Sequence, residues 1–228
     1  MGQVDADKFL FERGTEYLAK KNWLTAREYF RRIVDNYPGS PFRADAKLGV
    51  GDSYLGEGQI DALILAVNEF REFLTFFPLS ERADYAQYRL TLAQSKQMLR
   101  AERDQTATVE TLREVQKFVD NYPTSAYRPE VDAIQRTARD RLSESEYRVG
   151  RLYFSQRWLV GARMRFEGLL QSDPGFSKKD EVYFYLAETH MRAGNTPLAV
   201  QMYERVIAEF PRSKFVEKAQ ERLKDIKR

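Results

Sequence analysis

This 228-residue sequence contains no cysteine and only one histidine, His190. Without cysteine there are no disulfide bonds, thiolate metal ligands or thiol nucleophile, and a lone histidine has no second histidine to complete a metal site. Glycine and proline are also scarce, at 12 and 8 residues, which is few for a β-sandwich or barrel with many turns. No apolar run approaches the ~20 residues that a membrane-spanning helix requires. We therefore expect no cofactor, no disulfide framework and no membrane span.

The sequence also lacks a strong excess of either positive or negative charge. The chain has 37 Lys and Arg against 34 Asp and Glu, a net charge of +3, and the two signs alternate along most of the sequence. Nucleic-acid binding usually needs a clustered basic surface. The one basic segment, Arg212 to Arg228, is interpreted as a solvated terminal helix, because cations are favoured near a helix C-terminus. We expect no nucleic-acid partner.

What the sequence does have is an internal repeat. An aromatic-Pro-x-Ser tetrapeptide occurs four times, and a degenerate copy begins at Asp173. Each copy follows an amphipathic run, so proline is expected to end one helix and the serine to cap the next. The four copies and the degenerate fifth are residues 37–40, 77–80, 122–125, 210–213 and 173–176.

A second set of positions precedes each proline. Three segments share six positions with identical spacing: a small residue, a ring-bearing residue, alanine, a large ring, an aliphatic residue and proline. This is the two-helix tetratricopeptide pattern, in which small residues let helices A and B approach and large ones fill the space between them. The sets are Gly14, Tyr17, Ala26, Phe30, Ile33, Pro38; Gly150, Tyr153, Ala162, Phe166, Leu169, Pro174; and Ala187, His190, Ala199, Tyr203, Val206, Pro211.

Two further repeats are stretched. The second has three extra residues, which we place in the A–B turn at 56–59. The third has helix A over 83–99, an enlarged loop over 100–108 and helix B over 109–121. A helix over 130–143 is expected to run into the fourth repeat, and a terminal helix follows Ser213 to cover the last apolar face. The sequence thus predicts an all-α fold, an α-α superhelix (solenoid) of about five tetratricopeptide-type helix pairs plus a C-terminal helix.

No group of residues predicts catalysis. His190 falls at a packing position of helix A, where the first and fourth repeats have tyrosine. Carboxylate pairs such as Glu12 and Glu16 have i,i+4 spacing, which is typical of solvated helix faces. The segment Gly49-Val50-Gly51 lies inside a helical repeat with no preceding strand, so it is not a phosphate loop. We therefore predict a protein-binding module rather than an enzyme.

In such a superhelix, helix A residues outside the packing set point into the concave face, where peptides bind. Counting from the repeat template gives three groups that mix aromatic, aliphatic and charged side chains. They are Lys8, Phe11, Thr15 and Leu18 in the first repeat, Asp45, Leu48, Asp52 and Leu55 in the second, and Tyr85 and Tyr88 in the third.

Less generic features make the chain resemble the BamD family of outer-membrane lipoproteins, also called YfiO or ComL. They are the Asn22-Trp23 turn, Asp84-Tyr85 with Tyr88, the long loop containing Arg103-Asp104, and Arg165-Phe166-Glu167-Gly168. The resemblance covers about residues 8 to 215. It implies a periplasmic, outer-membrane-associated subunit of the machinery that folds and inserts β-barrel proteins.

From the resemblance we expect residues 1–128 to bind unfolded outer-membrane protein peptides. Residues 129–228, including Arg165 and Glu167, are expected to dock on the barrel-forming assembly protein. The family carries its lipid on an N-terminal cysteine, which this sequence lacks, and any membrane attachment is expected through such a lipid alone. Two alternatives stay open: a Tol-associated periplasmic tetratricopeptide adaptor, and a pilus-biogenesis lipoprotein of similar build.

Overall fold

The computed structural model describes the backbone of residues 3–227 and the side chains of residues 6–227, and that range is helical without a β-strand. Its helices alternate as A and B members of successive pairs, which confirms the predicted all-α fold of tetratricopeptide type. They are α1 (Gln3–Ala19), α2 (Trp23–Asn36), α3 (Arg43–Glu57), α4 (Ile60–Phe76), α5 (Ala83–Ser95), α6 (Thr106–Asn121), α7 (Arg128–Ser155), α8 (Leu159–Ser172), α9 (Lys179–Arg192), α10 (Thr196–Glu209) and α11 (Val216–Ile226).

The chain forms two compact units. The first runs to Leu99 and resumes over Asp104–Ala138, and the second comprises Arg100–Arg103 and the chain from Arg139 onward. The boundary therefore lies inside α7, ten residues beyond the division expected at 128/129. The reason is that α7 is one uninterrupted helix of 28 residues, in which the predicted helix over 130–143 continues into helix A of the fourth repeat.

Close contact between a helix A glycine and a helix B phenylalanine fixes the pairs, as the template predicts. A Cβ added to Gly14 would lie 2.7 Å from the ring of Phe30, and one added to Gly51 would lie 2.7 Å from the ring of Phe70. Both rings are buried. Any side chain at these glycines would therefore force the two helices apart.

The three extra residues of the second repeat do not enlarge its turn, contrary to our expectation. The turn residue Gly58 has a left-handed backbone (φ 76°), as does Lys21 in the first repeat (φ 58°). In both repeats helix B begins two residues later, but α4 has 17 residues whereas α2 has 14. The insertion thus adds about one turn to helix B, since no helix breaker follows Ile60 and the new turn buries Ala62 and Leu63.

The third repeat also differs in its helix ends. Helix α5 stops at Ser95 rather than at residue 99, and α6 begins at Thr106 rather than at 109. The Ser95 hydroxyl donates to the carbonyl oxygen of Leu92 (2.8 Å) near the end of α5. At the other end, a carboxylate oxygen of Asp104 accepts a hydrogen bond from the backbone N–H of Thr106 (2.9 Å), and such a contact stabilises a helix start.

The serine of each aromatic-Pro-x-Ser copy caps a turn and not the helix that follows, which corrects the sequence prediction. The Oγ of Ser125 accepts from the N–H of Tyr127 (3.2 Å), and the Oγ of Ser213 accepts from the N–H of Phe215 (3.1 Å). The next helix begins three residues after each serine. Both hydroxyls also donate backwards to helix A carboxylates, Ser125 to Asp84 (2.7 Å) and Ser213 to Asp180 (2.5 Å).

The same hydrogen bond explains the degenerate copy at Asp173. There the partners are exchanged: helix A carries the serine, Ser143, and its hydroxyl donates to the Asp173 carboxylate at the start of the turn (2.6 Å). Both side chains are buried. The degenerate copy thus keeps a serine–aspartate hydrogen bond between the turn and helix A of the same pair, although Asp173 stands at the aromatic position of the motif and not at the serine position.

Helix α11 closes the second unit. It packs through Phe215 and Ala219, which are buried, and through the half-buried Leu223. The side that in other A helices faces a helix B carries only polar residues here, and all are exposed. They are Glu217, Gln220, Lys224 and Lys227. Such a polar outer face is typical of a helix that caps a repeat array.

Candidate protein-binding surface

Four of the predicted contact residues meet on the A helices of the first unit. The Asp52 carboxylate on α3 accepts a hydrogen bond from the Tyr85 hydroxyl on α5 (2.8 Å) and one from the Arg89 Nε (2.7 Å). The Asp45 carboxylate on α3 lies 3.4 Å from the guanidinium Nη1 of Arg82, the residue that immediately precedes α5. We call Asp45, Asp52, Arg82, Tyr85, Tyr88, Arg89 and Tyr127 the tyrosine–arginine surface.

The Asp52 contacts are largely shielded from water. Burial raises the pKa of the Asp52 carboxyl above its ordinary value, although Arg89 and the Tyr85 hydroxyl oppose the shift. Burial and the nearby Asp52 also raise the pKa of Tyr85. The guanidinium carbons of Arg82 and Arg89 lie 4.7 and 5.6 Å from the centroid of the Tyr85 ring. The ring is thus held in place by charged groups that neutralise one another.

Beside this network lies a patch of stacked rings. Tyr88 stacks on Tyr127 with centroids 5.0 Å apart and an interplanar angle of 6°, and Tyr85 lies 5.5 Å from Tyr127. All three rings are half-buried. Rigid tyrosines that are partly exposed provide large contact area at low entropic cost, which suits protein recognition.

In the first repeat the predicted residues divide by exposure. Lys8 and Thr15 are exposed, whereas Phe11 and Leu18 are half-buried against the core. Phe11 stacks on Phe42 with centroids 5.1 Å apart, and the Thr15 hydroxyl donates to the Phe11 carbonyl oxygen (2.9 Å). Among the described residues, no hydrogen bond, ion pair or ring contact joins these four residues to the tyrosine–arginine surface.

Leu48 and Leu55 are not surface residues, and this corrects their predicted role. Their exposed fractions are 2% and 5%, and both belong to the core cluster that contains Phe30 and Phe70. Their template position faces the neighbouring A helices, and in the second repeat those neighbours cover it. Neither side chain can touch a ligand in this conformation.

Arg165 and Glu167 are both exposed on α8, two residues apart, so they do not share a face of the helix. Arg165 donates to the Glu146 carboxylate on α7 (2.7 Å), and this ion pair raises the pKa of the guanidinium. Lys47 and Glu69 form the corresponding A–B ion pair in the second repeat (2.5 Å). Arg165 therefore has an internal partner, in addition to the docking role that the resemblance implies.

Sequence reasoning missed Arg82, Arg89 and Tyr127. The repeat template contained a signal for Tyr127, because it stands two residues after the motif serine, as do Phe42 and Phe215. For the arginines the signal was weaker. Their carboxylate partners, Asp45 and Asp52, lie on the preceding A helix, and spacing within one repeat does not reveal such contacts.

The one histidine of the sequence is a packing residue in the structure. His190 is buried, with 4% of its surface exposed, at the packing position that the template assigned to it. Over residues 6–227 no group of three or more histidine and carboxylate side chains could hold a metal ion. In the same range no helix is both long and apolar enough to cross a membrane.

His190 should make the second unit sensitive to acid. Burial, aided by Arg163 and opposed by Glu167, lowers the pKa of its imidazole. The unfolded chain then binds a proton before the folded one does, so stability should fall as pH drops below about 6.5. His190→Tyr, which restores the residue of the first and fourth repeats, should flatten this slope. Urea unfolding between about pH 5 and 7.5, followed by Trp158 fluorescence, checks it; equal slopes would contradict the assignment.

Comparison with known proteins agrees with this architecture. The family model described as YfiO, outer membrane lipoprotein, matches residues 4–202. The chain belongs to this family. Its relatives include the outer membrane protein assembly factor BamD of Caulobacter vibrioides, 26% identical over 188 residues, which cover 82% of this chain and 60% of the relative. The BamD of Rickettsia prowazekii is 23% identical over 206 residues, covering 90% and 81%.

The chain thus spans less than two thirds of the Caulobacter relative. Among solved structures, the TPR2AB-domain:pHSP90-complex of yeast Sti1 is similar with a TM-score of 0.54 and 13% identity, covering 92% of this chain and 79% of that one. At this identity the likeness concerns the fold alone. It agrees with the tetratricopeptide pattern read from the repeats.

Proposed function

We propose that this chain is a non-catalytic scaffold of the machinery that assembles and inserts β-barrel proteins into the outer membrane, and that it works on the periplasmic side. Family membership supports this, as do relatives whose names describe an outer membrane protein assembly factor. The structural observation that carries the proposal is the tyrosine–arginine surface, a rigid, half-buried recognition patch without catalytic groups. The Tol-associated and pilus-biogenesis alternatives have no corresponding support.

In this proposal the two units have different partners. The first unit holds extended segments of unfolded outer-membrane proteins on its stacked tyrosines, where aromatic rings provide contact and Arg82 and Arg89 provide hydrogen-bond donors. The second unit docks on a folded domain of the barrel-forming assembly protein through exposed residues of α8, with Arg165 on one side of the helix and Glu167 on another. Any membrane attachment is through a lipid anchor.

Removing the stacked ring of Tyr88 tests peptide binding by the first unit. Tyr88→Ala should weaken binding of an unfolded outer-membrane protein peptide about tenfold, since it removes an aromatic anchor and leaves Tyr127 unstacked. Fluorescence anisotropy with a labelled peptide measures this. Tyr29→Ala is the matched control, because Tyr29 stacks on Tyr17 (5.5 Å, 13°) elsewhere in the same unit. Equal losses in both variants would contradict a binding role for Tyr88.

Reversing the charge of Arg165 on α8 tests docking of the second unit on the assembly protein. Arg165→Glu should abolish capture of the assembly protein's soluble domain while peptide binding survives, because the peptide site is built from residues of the other unit. This change also breaks the internal ion pair with Glu146, so Glu146→Arg with Arg165→Glu restores that pair in reverse. Continued loss in the double variant would place Arg165 at the interface. Recovered docking would instead assign it an internal role and count against this docking surface.

A further inference from the structure

The second unit carries two arginines that stack on rings but have no carboxylate. The Arg151 guanidinium carbon on α7 lies 3.5 Å from the centroid of Tyr185 on α9, and that of Arg192 lies 3.9 Å from the centroid of Phe154. The Tyr185 and Phe154 rings touch edge to face, with centroids 5.6 Å apart. Both guanidiniums are therefore fixed on a single pair of contacting rings.

Arg151 retains unused hydrogen-bond donors. Its Nη1 donates to the Tyr147 hydroxyl (2.9 Å), while its buried Nε has no acceptor among the described residues. The Tyr147 hydroxyl donates onward to Glu181 (2.7 Å), and Glu181 is paired with Lys214 (2.9 Å). Glu181, the carboxylate at the end of this chain of contacts, is thus already neutralised by another cation.

The contrast with equivalent contacts shows what Arg151 lacks. In the second and fifth repeats, the residue that follows the small packing position of helix A contacts the next A helix as an ion pair: Asp52 with Arg89 (2.7 Å) and Glu188 with Arg222 (2.8 Å). At the fourth repeat this position is Arg151, and it meets a neutral ring. Neither Arg151 nor Arg192 forms an ion pair within the part of the chain that the structure describes.

We infer that Arg151 and Arg192 form a binding site for a carboxylate of an extended peptide on the A-helix face of the second unit. A flat guanidinium held against a ring presents its remaining N–H groups in the geometry that a planar carboxylate accepts. Arg151 is half-buried whereas Arg192 is exposed. Desolvating the Arg151 cation without a counter-charge is costly, and an anionic ligand offsets this cost. The site is separate from the tyrosine–arginine surface and from Arg165, and it does not depend on the proposed function.

Three synthetic peptides test the inference. An N-terminally labelled apolar hexapeptide has a free C-terminal carboxylate, its twin is amidated, and a third is amidated but contains one glutamate. Fluorescence anisotropy should show that the first or the third binds at least tenfold tighter than the amide, because charge-assisted hydrogen bonds are the strong ones. Preference between these two identifies a terminal or a side-chain carboxylate. Equal binding of all three would overturn the site.

Variants locate the site. Arg151→Gln should remove most of the carboxylate preference, and Arg192→Gln part of it. Arg205→Gln is the matched control, because Arg205 also stacks on a tyrosine, Tyr183 (4.3 Å), but is paired with Glu209 (2.7 Å). Its preference should be unchanged. Carboxylate preference that persists in a folded Arg151→Gln protein would refute the assignment.

A measurement on the unaltered chain covers the case in which Arg151→Gln does not fold. The Arg151 Nε–H resonance should shift during titration with the carboxylate peptides and stay in place with the amide. Absence of a shift at saturating carboxylate peptide would overturn the site without any variant.

Discussion

Replacing Phe166 by alanine is expected to lower the free energy of unfolding of the second unit by about 3–5 kcal/mol. The ring is fully buried between α7 and α8, and a Cβ added to Gly150 would lie 2.6 Å from it. A glycine cannot fill the cavity left by the ring, so the helices would have to collapse onto each other. Chemical unfolding of the Trp23→Phe background measures the effect, because Trp158 is then the sole tryptophan and reports on this unit.

The matched control lies two residues further along α8. Gly168 has no atom within 4 Å of an added Cβ, so Gly168→Ala should be neutral or stabilise the unit by up to about 1 kcal/mol through helix propensity. If Phe166→Ala left the Trp158 transition unchanged, Phe166 would not be the packing centre of the fourth repeat.

The repeat could be predicted from the sequence because the sizes of the facing side chains determine how helices A and B pack. Gly14 opposite Phe30 and Gly51 opposite Phe70 leave little choice of packing once their spacing is recognised. The positions of the helix ends depend on smaller energy differences between a longer turn and a longer helix. The three residues added to the second repeat could extend the turn or the helix, and burial of Leu63 decided between them. No pattern in the sequence predicts that outcome.

The hydrogen-bond partners of the motif serines could likewise not be predicted from the sequence. The motif serines bind aspartates that lie 33 and 41 residues earlier in the chain, Ser213 to Asp180 and Ser125 to Asp84. Only the structure shows that Asp173 and Ser143 exchange these roles, since in sequence the copy simply looks degenerate. A repeat can thus keep a serine–aspartate hydrogen bond between the turn and helix A although the residues, and the turn position that takes part, differ.

The binding surface was predicted in part for a related reason. The template gives the direction of a side chain but not how closely the next A helix approaches it. Asp52 and Tyr85 meet across that contact, whereas Leu48, at another position of the same template, is covered by its neighbours. The exposure of a helix A side chain depends on the packing of neighbouring repeats, and a pattern found within one repeat carries little information about that packing.

Replacing Leu48 by aspartate is therefore expected to unfold the first unit locally rather than to block a ligand. With 2% of its surface exposed, Leu48 lies among the apolar side chains of the core, where a new carboxylate would meet little water. A fully buried carboxyl has its pKa raised by about 3 units or more, which alone corresponds to about 4 kcal/mol at neutral pH. Lost apolar burial adds to this, and the sum is a large part of a typical domain's stability.

Trp23 fluorescence in the Trp158→Phe background reports on the first unit alone. There Leu48→Asp should shift the urea midpoint strongly downward, and Leu48→Met should shift it little, because the two apolar side chains have similar volumes. Leu65→Asp is the surface control, since Leu65 on α4 is 43% exposed. A Leu48→Asp protein that kept its midpoint but lost peptide binding would return Leu48 to the contact surface and show that the neighbouring A helices move apart when a ligand binds.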